Sequence, residues 1–252
     1  MRPLSATALL EIWERGAGRK PVEQALAILG PVCPELSSKA LENLTIGQRD
    51  AYLIKVRSLT FGSRFTGVVN CPECGEPLEM IFDVHDLLPI TMQLGDLEPT
   101  KSPKSEASLL ISPYQVTYRL PTSADLGALS QSEDPNPARQ QLLEACVLKV
   151  QRGGEDIHLS DLPKDILEKV TEQMHRAEPL ANISLRATCP ACRHQWQVLF
   201  DIVSFLWGEI NAWAVRLLRE VHILASAYGW REKDILEMSA LRRQQYLEMI
   251  GV

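Results

Sequence analysis

The sequence predicts an α+β protein: a two-hairpin, four-cysteine zinc ribbon with a large inserted helical and strand lobe and a helical C-terminal region. Two related stretches predict the ribbon, "CPECGEPLEMIFDV" from Cys71 and "CPACRHQWQVLFDI" from Cys189. Short alternating segments border both stretches, and helical apolar spacing dominates much of the remaining chain. The chain has 252 residues, enough for one large domain or two small ones.

Residues 1–62 are predicted to form an N-terminal helical region. The predicted helical segments are 4–14, 21–30 and 46–61, and residues 37–45 are predicted to form a short helical or turn segment. The second segment begins with a proline and ends with a glycine, residues that favour those helix positions. Thr45 is the predicted N-cap of the fourth segment, and Gly62 is predicted to end it.

The first knuckle hairpin is assigned to residues 63–94 and the second to residues 183–206. In each copy a strand-like segment precedes a Cys-Pro-x-Cys tip and an alternating segment follows it. At a fixed offset, Phe82 matches Phe200 and Asp83 matches Asp201. Each copy therefore predicts strand, knuckle and strand.

Residues 95–182, between the hairpins, predict an inserted α+β lobe. Its first part, 95–107, is rich in proline, serine and charge and predicts an exposed loop or linker. Residues 114–120 alternate as a strand. Helices are predicted at 121–129 with Ser123 as the cap, at 138–150 and within 160–177.

The C-terminal region, residues 207–252, is predicted to be helical. Apolar residues follow helical spacing from Ile210 to Tyr228, and Gly229 is a natural terminator. Two shorter helices are predicted after it, the second capped by Ser239.

The Cys-Pro-x-Cys hairpin occurs twice in the chain, and metal coordination explains why two copies are needed. Two thiolates three residues apart can hold one side of a tetrahedral metal, and a second knuckle supplies the other two ligands. We therefore predict one structural Zn²⁺ bound by four cysteines, with iron as the alternative ion. The predicted ligands are Cys71, Cys74, Cys189 and Cys192.

Other uses of these cysteines remain open at this stage. A thioredoxin-like redox pair needs a helix that starts at the first cysteine, and Gly75 and Pro77 disfavour such a helix. Unliganded core cysteines are a further alternative. His85 and His194 lie near the knuckles, but exposed polar roles are expected for them. Packing is the expected role of Cys33 and Cys146, which lie in apolar surroundings.

Charge and hydropathy exclude several classes of function. The formal net charge is -6, which disfavours general binding to nucleic acid or to an anionic membrane. No apolar stretch approaches a membrane span, and the N-terminus lacks the pattern of a signal peptide, so we expect a cytoplasmic protein. No catalytic motif and no small-molecule substrate site are expected.

Several stretches together resemble a known family. They are "LTIGQRDAYLIKVRSLTFG" before "CPECG", then "VTYRLPTSADLGAL", "CPAC" and "ILASAYGWREKDILEMSALRRQQYLEMI". In this order they resemble the zinc-containing branch of the baseplate-hub family of T-even-like phages and of related contractile injection systems. The resemblance runs from about Leu44 to the C-terminus. It implies a structural or assembly role without catalysis.

The leading hypothesis is therefore a non-enzymatic, zinc-stapled component of a contractile tail or injection-system baseplate. Its expected partners are other tail or baseplate proteins, bound through the inserted lobe and the C-terminal helices, and the chain could be incorporated into the tail particle. The alternative is a nucleic-acid-binding zinc-ribbon adaptor. A thiol oxidoreductase is a third hypothesis.

Overall fold

The computed structural model of the chain describes residues 3–87, 106–129 and 135–251. The helices are α1 (Ala6–Gly16), α2 (Pro21–Val32), α3 (Ser38–Glu42), α4 (Ile46–Phe61), α5 (Val84–Leu87), α6 (Ser123–Ala128), α7 (Pro135–Cys146), α8 (Lys164–Ala177), α9 (Ile202–Tyr228), α10 (Glu232–Leu236) and α11 (Ala240–Met249). The strands are β1 (Arg64–Asn70), β2 (Pro77–Asp83), β3 (Ala107–Ile111), β4 (Tyr114–Tyr118), β5 (Val147–Arg152), β6 (Glu155–Asp156), β7 (Ile183–Thr188) and β8 (Gln195–Phe200). The α+β class is confirmed.

The predicted helix caps are largely confirmed. The Thr45 hydroxyl accepts a hydrogen bond from the backbone N–H of Gln48 at the start of α4, and Gly62 follows the last residue of that helix. Ser239 caps α11 in the same way. The second helix continues past Gly30 to Val32, because the N–H of Cys33 still closes the helical hydrogen bond to Leu29.

Three predictions in the inserted region are corrected or fall outside the structure. Thr122, not Ser123, caps α6, because the Thr122 hydroxyl accepts the hydrogen bond from the N–H of Asp125. Residues 147–150 form strand β5 rather than the end of a helix, and strand β3 was not predicted. Nearly all of the predicted linker at 95–107 lies outside the described residues.

The main core joins segments from both ends of the chain. Buried side chains of α1, α2 and α4 pack against Phe65 of β1, Ile183 of β7 and the first turns of α9. The residues without measurable exposure in this core include Ile12, Ile28, Leu29, Leu53, Ile54, Val56, Phe65, Leu206 and Ile210. The two hairpins therefore stand on a helical base to which the first 60 residues and α9 both contribute.

The inserted lobe has its own smaller core. Strands β3 to β6 form an antiparallel sheet in the order β3-β4-β5-β6. Val116, Tyr118 and Val150 on one face of this sheet pack against Ile166 and Val170 of α8. Strand β5 pairs with β4 although the two helices α6 and α7 separate them in sequence, and local periodicity could not predict this pairing.

The lobe joins the helical base at the N-termini of α4 and α6. Thr45 and Thr122 form an isolated antiparallel bridge. The carboxylate of Glu178 accepts hydrogen bonds from the Thr45 hydroxyl and from the N–H of Gly47, the latter at 3.2 Å. A carboxylate at this position stabilises α4 because it faces the positive end of the helix dipole. Burial raises the pKa of Glu178.

The C-terminal helices α10 and α11 pack against α9. Leu217, Val221 and Leu224 of α9 meet Ile235 and Leu247. At the edge of this contact Arg243, 4% exposed, donates a 2.9 Å hydrogen bond from Nε to a carboxylate oxygen of Glu220. Helix α9 is thus one continuous element that serves both the main core and the C-terminal helices.

We expect Gly16→Val to destabilise the protein, because α1 and α9 approach each other too closely there for a side chain. A Cβ at Gly16 would lie 2.4 Å from the ring of Trp207, a contact that overpacks the interface. The free energy of unfolding should fall by about 1–3 kcal/mol in urea titration. The control is Gly30→Ala in α2, where an added Cβ would meet no atom of the described residues within 4 Å. The free energy of unfolding of this variant should be unchanged or about 0.5–1 kcal/mol higher. Equal behaviour of the two variants would contradict the prediction.

Candidate metal centre

Each hairpin carries its cysteine pair at the tip. In the first hairpin Asn70 pairs with Pro77 as the last rung, and in the second Thr188 pairs with Gln195. The two cysteines of each pair lie in the turn beyond these rungs. The predicted strands before and after each cysteine pair are confirmed.

The first knuckle is closed by two backbone hydrogen bonds. The N–H of Cys71 donates to the carbonyl of Glu76, and the N–H of Gly75 donates to the carbonyl of Cys71, both at 2.9 Å. Gly75 has a φ of 76°, in the left-handed region that glycine adopts without steric cost. This turn holds the thiols of Cys71 and Cys74 on one side of the hairpin tip.

The second knuckle repeats this bonding. The N–H of Cys189 donates to the carbonyl of His194 at 2.9 Å, and the N–H of Arg193 donates to the carbonyl of Cys189 at 3.0 Å. Arg193 takes the position of the glycine and has a φ of 61°. The N–H of Cys192 also approaches the Sγ of Cys189 at 3.5 Å.

We expect Arg193→Gly to stabilise the protein, because a side chain in the left-handed region costs roughly 1–2 kcal/mol. Part of this gain is lost to the larger entropy of glycine in the unfolded chain, so the net rise in the free energy of unfolding should be about 0.5–1 kcal/mol. Thermal or urea unfolding of the metal-loaded protein measures it. The reciprocal variant, Gly75→Ala, should destabilise, and a loss of stability in Arg193→Gly would contradict the argument.

The hairpins face each other so that all four thiols converge. The Sγ atoms of Cys71, Cys74, Cys189 and Cys192 all lie within 4.8 Å of one another. Two sulfur contacts join the hairpins: Cys71 to Cys192 at 3.6 Å and Cys74 to Cys189 at 3.5 Å. A tetrahedral ion with bonds of about 2.3 Å to sulfur requires sulfurs about 3.8 Å apart. The arrangement therefore fits a zinc ion bound by all four cysteines.

The four thiols differ in their surroundings. Cys71 and Cys189 are buried, whereas Cys74 and Cys192 are exposed. The backbone N–H of Cys192 lowers the pKa of Cys189 to about 7. Although the N–H of Glu76 lowers the pKa of Cys74, hydrogen bonds with Cys192 and Cys189 raise it overall, to about 12. Without a cation the cluster keeps protons that a bound Zn²⁺ would displace.

Four phenylalanines pack together at the end of the hairpins opposite the cysteine tips. Phe65 stacks on Phe82 with a centroid distance of 5.1 Å, and Phe82 meets the edge of Phe200 at 5.3 Å. Phe205 at the start of α9 lies 5.3 Å from Phe65. Phe82 and Phe200 are equivalent residues of the repeat, so the two hairpins contact each other through matched aromatic side chains.

A buried arginine connects this aromatic cluster to the helical base. Arg57 of α4 forms two hydrogen bonds with Glu209 of α9, at 2.9 and 2.7 Å. It also donates to the carbonyls of Gly62 and Arg64, both at 2.7 Å, and its guanidinium lies 3.9 Å from the centroid of Phe65. One side chain thus joins α4, α9 and β1, the first strand of the first hairpin.

The remaining cysteines and the two nearby histidines lie outside the thiol cluster. Cys33 is buried in the main core, as predicted, and Cys146 is buried with Arg119 and Asp125 nearby; burial raises the pKa of each to about 11. His85 is exposed, and His194 stacks on Trp196. In the part of the chain that the structure describes, no second group of metal-ligating side chains converges.

Sequence reasoning missed Arg57 and Glu209. Arg57 occupies an inward position of α4 next to the buried residues Leu53 and Val56, and a charged residue at such a position usually signals a buried ion pair. That signal was present in "AYLIKVRSL", but it did not identify a partner 152 residues away.

The fold and the thiol cluster define an α+β protein in which two facing hairpins bring four cysteines together. Comparison with known families gives the more specific result. The family of T4 bacteriophage base plate proteins matches residues 22–207, more than half of the chain, and the chain belongs to this family. The baseplate resemblance derived from the motifs is confirmed.

The chain was also compared with curated proteins and solved structures, and its helices were assessed as possible membrane spans. No curated protein and no solved structure matches the chain. Among the helices of residues 3–87, 106–129 and 135–251, none combines the length and apolarity needed to cross a bilayer.

Proposed function

We propose that the protein is a non-enzymatic structural or assembly component of a contractile-tail baseplate, stapled by one structural zinc ion. The observation that carries the proposal is the family match over residues 22–207. Other tail or baseplate proteins are the proposed partners. The proposed location is the cytoplasm during synthesis and the tail particle after assembly.

The chemistry of the four thiols supports zinc as the proposed ion. Four thiolates in a tetrahedron select Zn²⁺ or iron, and they leave no open position for water or a substrate. The proposed ion would therefore hold the hairpins together rather than take part in a reaction. Cys71, Cys74, Cys189 and Cys192 are the proposed ligands.

The proposed division of the chain follows from this staple. Residues 1–62 and 207–252 would form the helical base, and residues 63–94 and 183–206 the ribbon. The inserted lobe, 95–182, would extend from the ribbon. The separate cores of the base and of the lobe support the division, whereas α9 runs without a break across residue 206.

The nucleic-acid-binding alternative receives no support from the hairpins. The tip and second strand of the first hairpin carry three exposed carboxylates, which repel phosphates. They belong to Glu73, Glu76 and Glu79. We therefore propose no function of this class.

The proposed function is tested by expressing the tagged chain together with the tail genes of its native cluster. We expect the chain to co-purify with tail proteins or with assembled tails, and its deletion to stop assembly at a baseplate intermediate. A chain that neither co-purifies with tail components nor affects tail assembly would refute the proposal.

A further inference from the structure

The outward side of α9 carries an exposed apolar strip with positive charge around it. The inward side holds Ile210, Ala214, Leu217, Val221 and Leu224, all buried. On the other side Val215 is 50% exposed and Leu218 is 37% exposed. Gly208 and His222 are seven residues before and after Val215 and share its side of the helix.

The charges of α9 are sorted between its two sides. Its glutamates are directed inward: Glu209 pairs with Arg57, and Glu220 pairs with Arg243. Arg216 and Arg219 are exposed, and neither forms a salt bridge with any residue in the described part of the chain. A chain with a net charge of -6 therefore presents a locally cationic surface here.

We infer that this surface, formed by Gly208, Val215, Leu218, Arg219 and His222, binds an acidic amphipathic helix of another baseplate protein. The inference rests on the proposed function and names the docking surface. Val215 and Leu218, at positions i and i+3, form an apolar pair that suits the apolar stripe of a second helix. The unpaired arginines favour carboxylates at the edges of that stripe.

Gly208 is consistent with close approach of a second helix. A glycine inside a helix costs about 1 kcal/mol relative to alanine. None of the described residues requires it, because a Cβ at Gly208 would meet none of their atoms within 4 Å. The absence of a side chain leaves room for the backbone of a partner on the same side as Val215.

Two other occupants fit the surface less well. A second copy of the chain, related by a two-fold axis through this face, would place Arg219 and its symmetry mate on the same small surface. Nucleic acid would satisfy the arginines but would leave Val215 and Leu218 against phosphate and sugar. An acidic helix satisfies both features at once.

The test uses the full chain co-expressed with the tail genes of its native cluster. The variant is Val215→Glu/Arg219→Glu, and the matched control is Leu59→Glu/Arg19→Glu, which also replaces one exposed apolar residue and one exposed arginine by glutamate, outside the inserted lobe and the C-terminal helices. Both variants should keep the melting temperature and metal content of the parent protein. We expect the α9 variant to be incorporated into tails about tenfold less or worse, and the control to be incorporated normally.

A photo-crosslinking residue at position 215 of the otherwise unchanged chain identifies the occupant. The expected product joins α9 to a helical segment of a tail protein with at least two carboxylates beside its apolar stripe. Replacing those carboxylates by lysine should restore incorporation of the α9 variant.

Each contrary result has a distinct meaning. If the parent chain and the control enter tails and the α9 variant enters equally well, the docking surface is refuted and the proposed function stands. A crosslink to a second copy of the chain, or salt-dependent DNA binding that the α9 variant loses, also refutes the acidic-helix partner. If the parent chain fails to associate with any tail component, both proposals fail.

Discussion

Cys189→Ser is expected to abolish metal binding and to leave the protein largely unfolded. Structural zinc sites contribute about 10–16 kcal/mol of apparent binding free energy in small peptides at neutral pH. The total stability of a domain is only about 5–15 kcal/mol. If removal of one of the four ligands releases the zinc, the lost binding free energy is therefore comparable to the whole stability of the fold. The parent protein should contain one zinc per chain by elemental analysis, and the variant should contain none and show no cooperative melting.

The matched control for this prediction is Cys146→Ala. Cys146 is buried like Cys189, but it lies in the inserted lobe and outside the thiol cluster. This variant should lose about 1–3 kcal/mol of stability and keep its zinc. Full metal content and cooperative melting in Cys189→Ser would show that the cluster is not a structural zinc site. Bound iron in the parent protein would replace the ion but retain the staple.

Arg57→Met is expected to produce the second largest loss, about 3–5 kcal/mol in the free energy of unfolding. The Arg57 side chain is 4% exposed, and its removal leaves the carboxylate of Glu209 and two backbone carbonyls without their donor. The contact with Phe65 is weakened as well. Urea unfolding of the metal-loaded protein measures the loss.

Two comparisons separate the buried pair from a surface effect. Arg15→Met removes an exposed i,i+4 partner of Glu11 and should change stability by less than about 0.5 kcal/mol. The double variant Arg57→Met/Glu209→Met should be more stable than Arg57→Met alone, because it leaves no unpaired carboxylate. If Arg57→Met costs no more than Arg15→Met, the role assigned to this ion pair is wrong.

The elements with local signals were predictable, and those that depend on distant partners were not. Thr45, Gly62 and Ser239 mark helix ends through their own hydrogen bonds or backbone conformation, and the structure confirms these assignments. Strand β5 follows directly from helix α7, and its pairing with β4 and β6 decides its conformation. Local periodicity therefore extended the helix too far.

The thiol cluster was predictable because the sequence contains the Cys-Pro-x-Cys pair twice, and each pair supplies half of the cluster. A tetrahedral ion needs two identical pairs, and the repeat supplies them with matching residues up to Phe82 and Phe200. The contacts that hold the helical base together were not predictable. The Arg57–Glu209 pair and the contact between Gly16 and Trp207 join residues that no repeat or periodicity relates.

During synthesis the first cysteine pair emerges from the ribosome before the second pair, so the four thiols cannot converge until the second pair has been made. Cys71 and Cys189 are separated by more than a hundred residues, which take roughly 6 to 24 s to synthesise at about 5–20 residues per second. During that interval the nascent N-terminal half also lacks Leu206 and Ile210, which complete its core. The yield of folded protein in cells should therefore depend on the supply of metal ions and on chaperones that bind the incomplete N-terminal core.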